Sequence, residues 1–251
     1  MSKAKEDPVF NAGKNAGEYL AKALTRQLKG PNLSANANLW ENGSSTDLPP
    51  EFRPTYPLAE RKRRIQLATE EILKALGINY CNDPNTRDTP KRFAKALVEE
   101  IFAGKYQKAP KATAFPNSKQ FDEMIVVGPM KVKSMCSHHL LPITGSCWIG
   151  ILPSKQGKVL GLSKYPRIVQ WVCARPQIQE EMTSQIADAL KDLTKVNGLA
   201  VLVQAKHMCA CHRGVNDEQM LMSTSYVHGI FRDDHSVKEE FFSIVKQMQN
   251  C

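Results

Sequence analysis

Met124-Ile125-Val126-Val127-Gly128-Pro129-Met130-Lys131-Val132-Lys133 is the stretch from which the fold can be read. Branched and long apolar residues run together and then alternate with lysine, the pattern of a strand that buries one face. Ile143 to Leu152 continues in the same character. Downstream the period changes from two to near four. One helix is expected to begin near Ser163 and carry Ile168, Val169 and Val172 inward. A second carries Ile178, Met182, Ile186, Leu190 and Leu193 on one face. Leu199–Lys206 and Ser223–Phe231 return to strand character, and a closing helix starts at Ser236 with Glu239 in capping-box spacing.

Upstream, Ile65, Ala68, Ile72 and Leu76 recur at helical spacing and Gly77 supplies a stop. Thr89-Pro90 reads as an N-cap followed by proline at the first helical position. Phe93, Leu97 and Ile101 mark that helix's apolar face, and Gly104 is expected to end it. The stretch from Gly30 to Pro57 is rich in Asn, Ser and Pro and has no period, with a short helix expected before it around Ala16–Gln27. The expected organisation is an irregular extension over residues 1–58, a helical segment over 59–120 and a catalytic domain over 121–251. Strand pairs separated by helix pairs indicate α+β, an antiparallel sheet with helices on one face.

The bulk numbers narrow the function classes. A chain of 251 residues, 42% hydrophobic, can bury a sizeable core. Met1 to Lys14 has no apolar signal region and no run of about 18 apolar residues occurs, so a membrane role is not expected and the cytosol is the expected address. The net charge of +9 is uneven: residues 1–120 hold 20 basic and 13 acidic side chains, residues 121–251 hold 14 and 12. Such a surplus suits an anionic partner, a nucleotide or a nucleic acid, and the run Arg61-Lys62-Arg63-Arg64 equally suits a solvated helix face. Seven cysteines at irregular spacing do not form a disulfide framework, which turns attention to metal ligation or catalysis.

Two short segments concentrate the metal-capable side chains. They are Ser134-Met135-Cys136-Ser137-His138-His139 and Lys206-His207-Met208-Cys209-Ala210-Cys211-His212-Arg213-Gly214, each at the end of an expected strand. Thiolate and imidazole are the donors zinc prefers, and three protein ligands with an open fourth position make a catalytic site. Neither segment has the paired C-x₂-C of a zinc ribbon.

Cys136-Ser137-His138-His139-Leu140, Gly161-Leu162-Ser163-Lys164, Gln177-Ile178-Gln179-Glu180 and His207-Met208-Cys209 with Arg213-Gly214 together resemble type I GTP cyclohydrolase, in order and in separation. Asp88-Thr89-Pro90-Lys91-Arg92-Phe93-Ala94-Lys95 resembles the family's upstream helix. The resemblance covers about residues 60–248 and leaves residues 1–58 aside.

The resemblance implies a tunnelling-type α+β fold and a Zn2+ held by Cys136, His139 and Cys209. It makes His138 and His207 the acid/base pair and gives the guanine edge to Glu180, with Gln179 assisting. Ser163, Lys164, Arg167 and Arg213 match triphosphate-binding positions, and Arg92 and Lys95 would reach over from a neighbouring subunit. The implied reaction turns GTP and water into formate and 7,8-dihydroneopterin triphosphate without a redox cofactor. A homo-oligomeric ring, commonly a decamer, is implied as well. Zinc would lower the pKa of bound water to about 7, and imidazoles can move protons at that pH.

Against this stand plainer readings: His138 as a solvent-facing histidine, Glu180, Lys164 and Arg167 as surface charge. Cys211 and His212 are surplus donors, and Cys211 is a rival to Cys209. Ser137 and Gln204 stand where the family commonly has acidic residues. A same-fold enzyme for another purine or pterin, and a zinc-stabilised nucleic-acid-binding protein, are the competing functions; no nucleic-acid module is recognised.

Overall fold

The computed structural model describes residues 56–250. The expected helix at Ala16–Gln27 lies outside them. α1 (Leu58–Ala75) and α2 (Thr89–Lys95) come first; α2 widens into one π-helical stretch, Ala96–Ile101, and a single turn, α3 (Ala103–Tyr106), follows. Then come β1 (Ala114–Pro116), β2 (Ile125–Cys136), β3 (Pro142–Leu152) and β4 (Lys158–Leu160). α4 (Lys164–Cys173), β5 (Pro176–Gln177), α5 (Gln179–Thr194) and β6 (Gly198–His207) follow. A turn of helix, α6 (Met208–Cys211), β7 (Met222–Gly229), another turn, α7 (Ile230–Asp233), and α8 (His235–Gln249) complete the order.

The main sheet runs β5-β2-β3-β6-β7, and every pairing from β2 to β7 is antiparallel. The two-residue β5 lies parallel to β2, and β1 pairs separately with β4. Period-two alternation sorts the sheet's side chains. Val132, Cys147, Ile149, Ile151, Leu199, Val201 and Val203 face one way, against α4 and α5. Those helices answer at helical spacing with Tyr165, Ile168, Val169 and Val172, and with Met182, Ile186 and Leu190. The paired helices thus cover one face as expected. α8 adds a partial cover on the other, where Phe231, Phe241 and Val245 meet Trp148, Ala200 and Leu202.

Several local expectations shift. Thr89 is the first helical residue and Asp88 takes the N-cap place, so Pro90 sits one position further in. Gly104 does not end a helix. It lies within α3, where a Cβ would come 2.0 Å from the Trp171 carbonyl, so the missing side chain permits close packing on α4. The last strand stops at Gly229, whose φ of +59° turns the chain into α7. α8 is capped by Asp234, not Ser236. The Asp234 carboxylate accepts from the Ser236 amide at 2.8 Å and from its hydroxyl at 2.6 Å, the ionised acceptor winning over the neutral one.

α1 forms where its period predicts, yet only Thr69 on it is buried. Leu67, Ile72 and Leu76 are 46%, 56% and 67% exposed, so the apolar stripe finds no cover among the described residues. The basic run is engaged locally, two carboxylates and a ring serving its four cations. Arg63 and Arg64 both bond Glu60, Lys62 pairs with Glu99, and Arg61 lies 3.9 Å over the Tyr106 ring. Among the described residues, no helix is long and apolar enough to cross a membrane.

Phe241 is fully buried and meets Phe231 edge-on at 5.9 Å between ring centres. Phe241→Ala is expected to cost about 3–5 kcal/mol. In urea denaturation the midpoint should fall with the slope unchanged.

Candidate active site

Cys136 ends β2 and His207 ends β6, with β3 between them. Ile143 of β3 stands opposite Ser134 on one side and His207 on the other, so the two neighbouring strands finish within two residues of the same level. Two-residue alternation puts Cys136 on the helix-covered face with Val132, and His207 there with Val203. Just past Cys136 the chain turns tightly: Cys136 N–H donates to Leu141 O and Leu140 N–H to Cys136 O, both at 2.9 Å, with Leu140 at a φ of +51°. That turn carries His138 and His139. Past His207, α6 starts at once and brings Cys209 beside Cys136, Ile143 and Ala205.

Cys136, His139 and Cys209 thereby form a group whose ligand atoms all lie within 4.8 Å of one another. Tetrahedral zinc with Zn–S near 2.3 Å and Zn–N near 2.0 Å separates two sulfurs and a nitrogen by roughly 3.5–3.8 Å, so the three need to draw in by roughly 1.3 Å at most. Two sulfurs and an imidazole fit a borderline-soft divalent cation, and three donors leave one position for another ligand. Cys211 is not in the group. It is buried with its thiol 3.7 Å from the Met220 carbonyl, so by geometry Cys209 rather than Cys211 stands with Cys136 and His139. His212 is exposed and likewise outside the group.

Two further histidines border the group. His138 is exposed, with Nδ1 3.7 Å from the Cys136 sulfur. His207 is half-buried, and its Nε2 lies 2.8 Å from Gln179 Oε1. Burial lowers the pKa of His207 below its ordinary value, and the nearby Glu180 carboxylate opposes that shift. The shift favours the neutral ring near pH 7, the form able to accept a proton. Burial and the adjoining Cys136 thiol raise Cys209, with Arg213 acting against them. A divalent cation between the sulfurs would invert that balance.

Glu180 is exposed in the first turn of α5, and Arg213 is exposed on the loop beyond α6. Both act electrostatically on the histidine–cysteine cluster, which places them at its margin. Gln179 is different. Its side chain is completely buried and bonded on every side, so its amide has no free donor to offer a purine.

The remaining residues lie elsewhere in the chain. Ser163 is at the α4 N-terminus, with no capping bond from its side chain, and Lys164 and Arg167 share one side of the first turn. Ser163 lines an open cleft of about 540 Å³ with Met130 and Lys131. Five residue steps along β2 separate Lys131 from Cys136, about 17 Å of strand. Arg92 and Lys95 are exposed on α2, and Arg92 is 3.5 Å from Asp88. One chain therefore gathers Cys136, His138, His139, Glu180, His207, Cys209 and Arg213, and holds Ser163, Lys164 and Arg167 at the far end of α4.

Of the two departures in sequence, Gln204 points to the opposite sheet face, bonded to Ser223 and Gln249. It does not adjoin the sulfurs. Ser137 is exposed in the turn, its amide donating to Gln177 O at 3.3 Å. Sequence reading missed the buried support: Ser134 and Gln177 beneath Cys136, bonded to each other at 3.1 Å, and Thr183 and Thr224 around Gln179. The signal that could have found Thr224 is register, since it pairs with Val203 two places along the same face from Ala205 and four from His207.

A family profile described as GTP cyclohydrolase I matches residues 65–246. A GTP cyclohydrolase 1 of Shewanella sp. strain W3-18-1 is 38% identical over 210 residues, covering 83% of this chain and 95% of that protein. The protein of the same name from Shewanella baltica strain OS185 is 38% identical over 83% of this chain and 94% of its own length. Among solved structures, an archaeosine synthase QueF-Like in the apo form aligns at 12% identity with a TM-score of 0.34. It covers 43% of this chain and 92% of its own, a likeness too slight to carry an argument.

Metal analysis separates the two neighbouring cysteines. Purified full-length chain is expected to hold about one zinc per subunit, Cys211→Ser to retain it, and Cys209→Ser to lose it by at least a tenfold weakening. Zinc lost from Cys211→Ser and kept by Cys209→Ser would reverse the assignment.

Proposed function

The chain belongs to the GTP cyclohydrolase I family, and from that premise we propose that it converts GTP and water to formate and 7,8-dihydroneopterin triphosphate at a zinc site. The observation that carries the reading is the convergence of Cys136, His139 and Cys209 beside His207. Zinc held by those three side chains would supply Lewis-acid activation of water near neutral pH.

The chain's own residues account for the rest. Glu180 can accept from both N1–H and the N2 amino group of guanine, a pattern adenine cannot reproduce. His207, favoured as the neutral ring, takes a proton from the attacking water. His138, beside Cys136, gives one to a purine nitrogen as the five-membered ring opens at C8. The same pair then serves the proton transfers of the ribose rearrangement. Arg213 offers a guanidinium to phosphate oxygens from the cluster's margin, and Ser163, Lys164 and Arg167 form a second cationic group suited to a triphosphate.

Because Ser163 opens that second group beside Lys131, itself about 17 Å along β2 from Cys136, a complete site is best built between copies of the chain, with Arg92 and Lys95 also contributed across the boundary. The exposed apolar stripe of α1 supports a homo-oligomer. A closed ring is the arrangement in which each copy both gives and receives such a contribution.

Zinc-loaded full-length protein is expected to consume GTP, release formate, and yield a pterin that fluoresces after oxidation. A chelator should stop turnover and added zinc restore it. His207→Ala should keep its fold and zinc while kcat falls by about 10²–10⁴. Glu180→Gln should lower kcat/KM for GTP by at least about 10². GTP left intact by zinc-loaded protein, with another purine nucleotide consumed from the same panel, would transfer the reading to a different substrate.

A further inference from the structure

Gln179 is the first residue of α5, and its amide enters a pocket between β6 and β7. Its Nε2 lies 3.2 Å from Val203 O, 3.0 Å from Met222 O and 3.1 Å from Thr224 Oγ1. Backbone carbonyls only accept, so two of them at this distance require the NH₂ end of the amide there. The reverse orientation would set Oε1 against two carbonyl oxygens in a buried place, where each lost bond costs about 1–3 kcal/mol. The orientation of the amide is thus dictated by the sheet backbone.

Oε1 then faces His207 Nε2 at 2.8 Å. An amide oxygen cannot donate, so that ring nitrogen must carry the hydrogen. The hydroxyls fall into the same direction. Thr183 spends its one hydroxyl hydrogen on the Gln179 backbone carbonyl at 2.8 Å, so Thr224 donates to Thr183 at 2.6 Å and turns a lone pair to Gln179 Nε2. The two amide hydrogens are shared among three acceptors, and none of the three can take the place of a donor to Oε1.

We infer that Gln179 is the positioning residue of His207, its side-chain amide holding the imidazole in the tautomer with hydrogen on Nε2 and the lone pair on Nδ1. The inference rests on the reading of His207 as an acid/base group. The bond to Gln179 persists whether the ring is neutral or charged, so His207 exchanges protons with a substrate only through Nδ1. Gln179 does not read the purine, and the guanine edge is left to Glu180.

The test uses full-length protein with ring-¹⁵N histidine, observed by solid-state NMR at about pH 8.5, above the ordinary imidazole range. His207 is identified by difference from His207→Asn. A protonated Nε2 with a bare Nδ1 is expected; hydrogen on Nδ1, or a mixture of tautomers, overturns the inference. This spectrum requires neither turnover nor a variant of Gln179, so it stands even if the chain leaves GTP untouched. In Gln179→Met the tautomers should mix and kcat fall about 10- to 100-fold, with zinc content and the dissociation constant for GTP, by equilibrium dialysis, within about twofold of wild type. A variant that binds GTP at least about tenfold more weakly while kcat holds would make Gln179 a purine reader and end the proposal.

Discussion

The antiparallel register that sets Ile143 opposite both Ser134 and His207 is the constraint on which the rest depends. It makes β2 and β6 end within two residues of the same level on either side of β3. Donors that follow those two ends, more than seventy residues apart in sequence, are then only a strand's width or two from each other. A slip of one residue would send Cys136 or His207 to the other sheet face, because side chains alternate. The buried stripes on β2, β3 and β6 oppose such a slip, since it would expose Val132, Ile149 and Val201 together.

Covering that face with α4 and α5 does more than bury apolar area. It brings the α4–α5 connection against the strand ends, where Gln177 pairs with Cys136 and Gln179 reaches His207. Buried amides are costly unless satisfied, and here the amide nitrogens find rigid backbone: Val172 O for Gln177, Val203 O and Met222 O for Gln179, while Gln177 Oε1 is buried without a hydrogen-bond partner among the described residues. The donors of the candidate site therefore rest on groups that cannot rotate away. The exposed side chains around them, His138, Glu180 and Arg213, keep the freedom to meet a ligand from solvent.

Polar and apolar surfaces divide differently at the N-terminal end of the described residues. α1 spends its cations on Glu60, Glu99 and two tyrosine rings, and leaves Leu67, Ile72 and Leu76 outward. Charge that looks free for an anionic polymer in the sequence is engaged in local pairs and ring contacts, and among the described residues the apolar stripe is what lacks a partner. Two residues singled out in the sequence resolve in a similar way: the surplus donor Cys211 turns to a backbone carbonyl and Gln204 to the face of α8, following from the direction of one helical turn and from strand parity respectively.

Sequence alone determined what depends on neighbours a few residues apart. Alternation at Met130–Lys133 marks a strand, the spacing of Ile168, Val169 and Val172 a helix, and the clustering of Cys136 with His139 and of His207 with Cys209 two halves of a candidate metal site. The same local logic misjudged Gly104 and the cap of α8, where a tertiary contact or a better acceptor two residues away took precedence. Which cysteine joins the group, which way the Gln179 amide points and how far Ser163 stands from the sulfurs were settled only by tertiary structure. These depend on register between strands and on carbonyls contributed from distant segments, and periodicity within one segment holds no information about where another segment's carbonyl will lie.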